Sequence, residues 1–235
     1  MMQRRLFILG ASAFVLSACG GNLIGPPDAG PIYVVRPAFA PASGEKVSWS
    51  LSILRPDVPG GLDSDRIALV QPDGSLDYYA KASYPDRVPA SVQQALLDAF
   101  EASGRIDAVA REEQALHADY NLLVEVKDFA AHYATQDGVP AITVAVQAKL
   151  TTAHGRKIIA AQGFTQTANA GANSAAATVQ ALQQALGVVV KQVVDWTLAT
   201  APVVPPGGSA DTASTASQAK QLLHDVSRGK KGVPQ

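Results

Sequence analysis

Apolar and polar positions alternate through most of the middle of the chain, and where the alternation breaks the period becomes helical. Val47 to Leu54 places Val47, Trp49, Leu51 and Ile53 on one face and ends before Pro56, which predicts a half-buried strand. Arg66 to Gln71 and Leu76 to Ala80 flank Pro72-Asp73-Gly74-Ser75, a turn sequence that predicts a hairpin. From Ser91 to Ser103 the period becomes helical, with Val92, Leu96, Ala99 and Phe100 on one stripe, Pro89 suited to the first turn and Gly104 to the C-cap. Ile106 to Val109 reads as a short strand. Asp119 to Ala134 alternates through Tyr120, Leu122, Val124 and Val126, and Ile142 to Leu150 repeats the pattern. Lys157 to Thr167 supplies a third long strand, with turns at Gly138-Val139-Pro140 and His154-Gly155, so these three predict a meander. Ser174 to Thr200 returns to a helical stripe of Leu182, Leu186, Val189, Val193 and Trp196, with Ser174 as its N-cap. This order predicts an α+β fold: a single mostly antiparallel sheet with two helices packed on one face.

The two ends follow different rules. Arg4 and Arg5 precede an apolar run, Leu6 to Val15, too short for a bilayer core that needs roughly 20 apolar residues. Leu16-Ser17-Ala18-Cys19 then matches a lipobox, in which small residues admit the signal peptidase and the cysteine thiol takes the lipid. Residues 1–18 therefore read as a lipoprotein signal peptide, with Cys19 as the lipidation site. Cys19 is the only cysteine, so no disulfide framework competes for it. Gly20 in the next position favours the outer membrane, with the chain on the inner leaflet facing the periplasm. Arg4-Arg5-Leu6-Phe7-Ile8 also resembles a twin-arginine signal, which leaves the export route open between the two systems. Residues 19–45 are expected to be the lipidated cysteine and a flexible tether, residues 46–201 the folded domain, and residues 202–235 a low-complexity tail. Pro202 to Ser217 has too few large apolar residues to offset its ordering entropy, so disorder is expected there. Gln218 to Ser227 carries Leu222, Leu223 and Val226 at spacings that would suit a short helix.

Charge and candidate chemistry narrow the function. After residue 18 the chain carries 17 basic and 20 acidic residues with no basic stripe, which argues against nucleic acid. His117, His132, His154 and His224 do not fall at metal-ligand spacing, so no metal and no cofactor beyond the covalent lipid is expected. The sequence has no Gly-x-Ser-x-Gly elbow, phosphate loop or Ser-x-x-Lys, and its carboxylates sit in turns and on solvated faces. A binding or scaffolding protein is expected, not an enzyme.

One stretch stands out as an interaction surface: Asp63, Asp65 and Arg66 in a turn that runs into a strand, then Tyr78 and Tyr79, then Tyr84 and Arg87 before the first helix. Tyr78 and Tyr79 must face opposite sides of their strand, so one of them is expected to be exposed. The chain resembles the ABC-type transport auxiliary lipoproteins, the group that includes the lipoprotein subunit of the paraquat-inducible transport system. The resemblance runs from about Trp49 to Thr200. It rests on the lipobox, Leu62-Asp63-Ser64-Asp65-Arg66-Ile67-Ala68, Tyr78-Tyr79, Tyr84 to Pro89, Asp119-Tyr120, Asp128-Phe129 and Leu182 to Trp196. Tyr84 stands where the family usually has Trp. The resemblance implies work beside an ABC permease, its ATPase and a periplasmic MCE-domain protein, in systems that move phospholipids or other hydrophobic compounds. The chain would act by docking, and a homo-oligomer is compatible with ring-shaped MCE partners. Two other readings stand beside this one. One is a structural or regulatory outer-membrane lipoprotein, such as a cell-wall synthase activator or an assembly factor. The other is a lipid carrier, which requires an apolar cavity between sheet and helices.

Overall fold

A computed structural model describes residues 30–114, 117–154 and 157–202. The stretch read as a signal peptide, Cys19, and residues 203–235 read as a low-complexity tail with a short helix, lie outside the described residues. Seven strands and two helices follow in the order β1 (Leu51–Ile53), β2 (Arg66–Val70), β3 (Leu76–Ser83), α1 (Val88–Ser103), β4 (Val109–Arg111), β5 (Tyr120–His132), β6 (Ala141–Thr152), β7 (Ile158–Asn169) and α2 (Ala175–Thr200).

The expected turns and caps form for the expected reasons. In the β2–β3 hairpin Gly74 adopts φ 84, and the Asp73 carboxylate accepts from the Ser75 N–H (2.9 Å) and hydroxyl (2.6 Å). Those two bonds hold the Asp73 carboxyl below its ordinary range. Gly104 ends α1 at φ 65, and the Ser174 hydroxyl accepts from Ala177 N–H at the start of α2. The meander β5–β6–β7 is antiparallel throughout. A bulge at Lys127 shifts the phase of β5, so Val126 and Phe129 both point inward although they are three residues apart.

The sheet differs from expectation: it is mixed, not mostly antiparallel. β1 is shorter than the alternation over Val47 to Leu54 suggested, and β4 lies at Val109–Arg111, starting at the last residue of the expected Ile106 to Val109. β1 and β2 lie one after the other along the same edge of β5, and both run parallel to it. β1 also pairs in parallel with β4. The reason is topological. The chain leaves the β2–β3 hairpin, crosses over through α1 and β4, and re-enters the sheet as β5 in its original direction. The segment between β1 and β2 keeps contact with β5 through Asp57, whose N–H and carbonyl bond Val124 and Val126 (2.9 and 2.8 Å).

The core lies between the sheet and the helix layer. Leu122, Ile142, Val144, Leu150, Leu182 and Leu186 fill it, all with under 2% exposure. One polar contact ties helix to sheet and another ties two neighbouring strands at their start. The buried Gln93 amide of α1 donates to the Ile53 carbonyl at the end of β1 (3.0 Å), and Asp119 accepts from both the N–H and the hydroxyl of Ser50 (2.8 and 2.7 Å). Next to Asp119, Tyr120 packs edge-on against Trp49 and donates to the Pro202 carbonyl (2.8 Å).

The tether also differs from expectation. Residues 31–45, which fell within the expected tether, pack on the body as a strap. Tyr33 N–H bonds the Ser83 carbonyl (2.8 Å), Arg36 N–H bonds Gln183 (3.2 Å), and Val35 and Pro37 are buried. Gly30 and Gly187 permit this close approach: a Cβ on Gly30 would lie 1.5 Å from the Lys81 carbonyl oxygen, and one on Gly187 would lie 3.2 Å from Pro37. Composition is blind to such packing, because it rests on two spaced apolar residues and on backbone hydrogen bonds.

Candidate docking face

The seven residues singled out from the sequence divide into an exposed group and an inward group. The β1–β2 loop and the chain leading into α1 are stitched together by backbone bonds. Tyr84 N–H donates to the Asp65 carbonyl (2.7 Å) and Val88 N–H to the Ser64 carbonyl (3.2 Å). This brings Asp63, Asp65, Arg66 and Arg87 together although 24 residues separate Asp63 from Arg87. Arg87 donates to the Asp63 carbonyl (3.2 Å) and lies 3.4 Å from its Oδ1; Arg55, which carries no sequence signal, approaches the same oxygen at 3.9 Å. Neither guanidinium is aligned to hydrogen-bond that shielded oxygen, so the attraction is coulombic. Tyr78 joins the group from β3: its hydroxyl donates to the Gly61 carbonyl (2.8 Å), and the Arg66 guanidinium stacks 4.1 Å above its ring. Leu76, 45% exposed, flanks it. The result is a fixed surface of one aromatic ring, three arginines and two aspartates.

Tyr79 and Tyr84 point the other way. Tyr79 is half-buried and meets the Tyr133 hydroxyl (2.6 Å) and the Thr178 hydroxyl (2.7 Å), while Tyr133 donates to the Asn173 side-chain oxygen (2.6 Å). Each hydroxyl has one proton, so the directions are determined: Thr178 donates to Tyr79, Tyr79 to Tyr133, and Tyr133 to Asn173. The chain ties β3 and the end of β5 to α2. Burial pushes the Tyr133 hydroxyl pKa well up. Tyr84 is 3% exposed and stacks edge-on against Phe129. Its hydroxyl is buried without a partner, and burial raises its pKa strongly. Both tyrosines are thus packing residues that hold the surface group from behind. Tyr133, Thr178 and Asn173 escaped the sequence reading; extending the inward phase of Phe129 and Ala131 by two residues would have pointed to Tyr133.

On the neighbouring strand, Asp128 pairs with His132 (2.8 Å), and partial burial raises the Asp128 pKa despite that partner. Among the described residues no three His, Cys, Asp or Glu side chains come together, and no helix is long and apolar enough to cross a membrane.

Comparison with known proteins assigns this architecture. The family model for the ABC-type transport auxiliary lipoprotein component matches residues 33–194. The chain belongs to this family. The match begins within the strap, so the strap is part of the family domain. A crystal structure of a Xanthomonas campestris protein is similar at 31% identity and a TM-score of 0.68, covering 72% of this chain and 95% of that one. A Bradyrhizobium diazoefficiens protein is 28% identical over 156 residues, which is 66% of this chain and 41% of that relative. The chain thus spans less than half the length of that relative. A lipoprotein family implies a membrane-anchored place in the cell envelope.

Proposed function

We propose that this protein is the lipid-anchored periplasmic component of an ABC transport system of the MCE type, related to the paraquat-inducible system. The system moves phospholipids or other hydrophobic compounds, and this chain works in it by docking. Family membership over residues 33–194 carries the reading. Cys19 holds the domain on the inner leaflet of the outer membrane, and the chain between Cys19 and the strap sets its reach. The exposed group of Asp63, Asp65, Arg66, Tyr78 and Arg87 meets the MCE-domain protein. An aromatic ring beside arginines is the composition of interface hot spots, and the backbone stitching around it lowers the ordering cost of binding. Docking is favoured over carrying because side chains fill the space between sheet and helices, where a lipid chain would have to lie. Co-purification of the MCE protein with the lipidated chain tests the reading. Arg66→Glu with Arg87→Glu is expected to abolish it while the fold is retained. Retained co-purification would reject this face, and recovery of a cell-wall synthase in place of the MCE protein would reject the function.

A further inference from the structure

We propose that the free edge of β7 is a second interaction surface, which pairs antiparallel with the β7 of another copy of this chain. Ile158 to Asn169 is a 12-residue edge strand that pairs only with β6 among the described residues. An exposed edge normally carries a charge, a proline, a cover or an interruption that blocks further pairing. The other margins of this sheet have such devices. β3 carries Asp77 and Lys81, is interrupted where Lys81 adopts φ 54, and is covered at Ser83 by Ile32 of the strap. β4 has only three residues and ends on Arg111. β7 contains no Asp, Glu, Lys, Arg or Pro at all.

Two further observations favour a second copy as the occupant. The edge is uncharged, with two Ile at its start, Ala, Gln, Gly and Thr around one Phe, and Asn at its end, so antiparallel pairing with a second copy sets no like charges against each other within the two strands. In isolation, Gln166 folds its amide onto the Thr167 carbonyl (2.9 Å), a bond that an added strand can replace. Beside the edge, a notch lined by Gln162, Phe164, Gln192, Asp195 and Trp196 stands open, with Phe164 and Trp196 edge-on at 5.9 Å and the Asp195 carboxylate paired with Lys191 (2.5 Å). It offers a side chain of an added strand contact with the Phe164–Trp196 ring pair and with the polar groups around it, beside the main-chain pairing that β-strand addition uses. A two-fold axis perpendicular to the sheet brings the two notches together, keeps both helix layers on one face and closes the assembly as a dimer.

The test uses the chain from Gly20 to Gln235, which retains every described residue and has no cysteine. Sedimentation equilibrium across a concentration series is expected to show a reversible dimer. Thr165→Lys with Thr167→Lys alters two exposed side chains and is expected to give a monomer with an unchanged circular dichroism spectrum and melting temperature. The same chain cut after Pro202 is run in parallel. A dimer that tolerates both lysines overturns the proposal, as does a monomer at every concentration in both lengths. A dimer seen only after the cut means that the chain's own tail occupies the edge, and this also overturns it. MCE co-purification is measured separately, so failure here is distinguishable from failure of the docking face.

Discussion

Two tyrosines five residues apart should respond in opposite directions to the same chemical change. Tyr79→Phe removes the middle of the chain that runs from Thr178 to Asn173. Thr178, which is fully buried, loses its acceptor, and Tyr133 loses its donor. Leaving buried groups unpaired costs about 1–3 kcal/mol. For a domain of this size each kcal/mol moves the melting temperature by about 2–4 °C, so a loss of about 2 kcal/mol lowers it by roughly 4–8 °C. Tyr84→Phe removes a hydroxyl that is already buried without a partner, and leaves the ring against Phe129. It relieves a desolvation penalty, and a gain of about 1 kcal/mol is expected. Urea unfolding of the chain from Gly20 onward gives both numbers. Tyr79→Phe combined with Tyr133→Phe should cost less than the sum of the single changes, because either one breaks the chain. A loss of 1 kcal/mol or more in Tyr84→Phe would show that its hydroxyl has a partner, and a neutral Tyr79→Phe would refute the hydroxyl chain.

Other perturbations test separate parts of the account. Gly30→Ala drives a Cβ into the Lys81 carbonyl, so the strap should lift from β3 and a protease should cut near residues 30–35 faster than in the wild type. Asp128 has a folded pKa above its unfolded one, so the native state binds its proton more readily, and the stabilisation it gives is greatest below the ordinary carboxylate range. The stability of the wild type minus that of Asp128→Asn should therefore fall as pH rises from about 4 through the raised pKa, and a difference that grows with pH contradicts the assignment. Asp63→Ala removes two long, largely solvated ion pairs, to Arg87 and Arg55, and should change stability by no more than about 1 kcal/mol, while weakening capture of the MCE protein. Cys19→Ser should abolish incorporation of labelled palmitate and release the domain from membranes.

Local chemistry was legible in the sequence, and pairing at a distance was not. The Asp73-Gly74 turn, the Gly104 and Ser174 caps, the meander and the inward stripe of α2 all act over a few residues, and each formed where its pattern predicted. Parallel pairing of β1 and β2 with β5 leaves no such mark, because alternation tells which face a strand buries but not which neighbour it takes. The tyrosines show the same limit. Alternation requires Tyr78 and Tyr79 to oppose each other, yet only the position of α2 decides that Tyr79 is the inward one. Tyr84 lies just past the end of β3, beyond the interruption at Lys81, so the alternation of Tyr78 and Tyr79 does not carry to it. Arg55 joins the surface group only because the β1–β2 loop folds back on itself.

The central claim is that the Tyr78 face meets an MCE-domain partner in the cell. A photo-crosslinking residue at position 78 of the lipidated chain tests this most directly, with the same residue at exposed Thr165 of β7 as the control. The expected result is an adduct with the MCE-domain protein from position 78, lost on Arg66→Glu with Arg87→Glu, and no MCE adduct from position 165. An adduct from position 78 with an unrelated envelope protein, or equal MCE adducts from both positions, would contradict it.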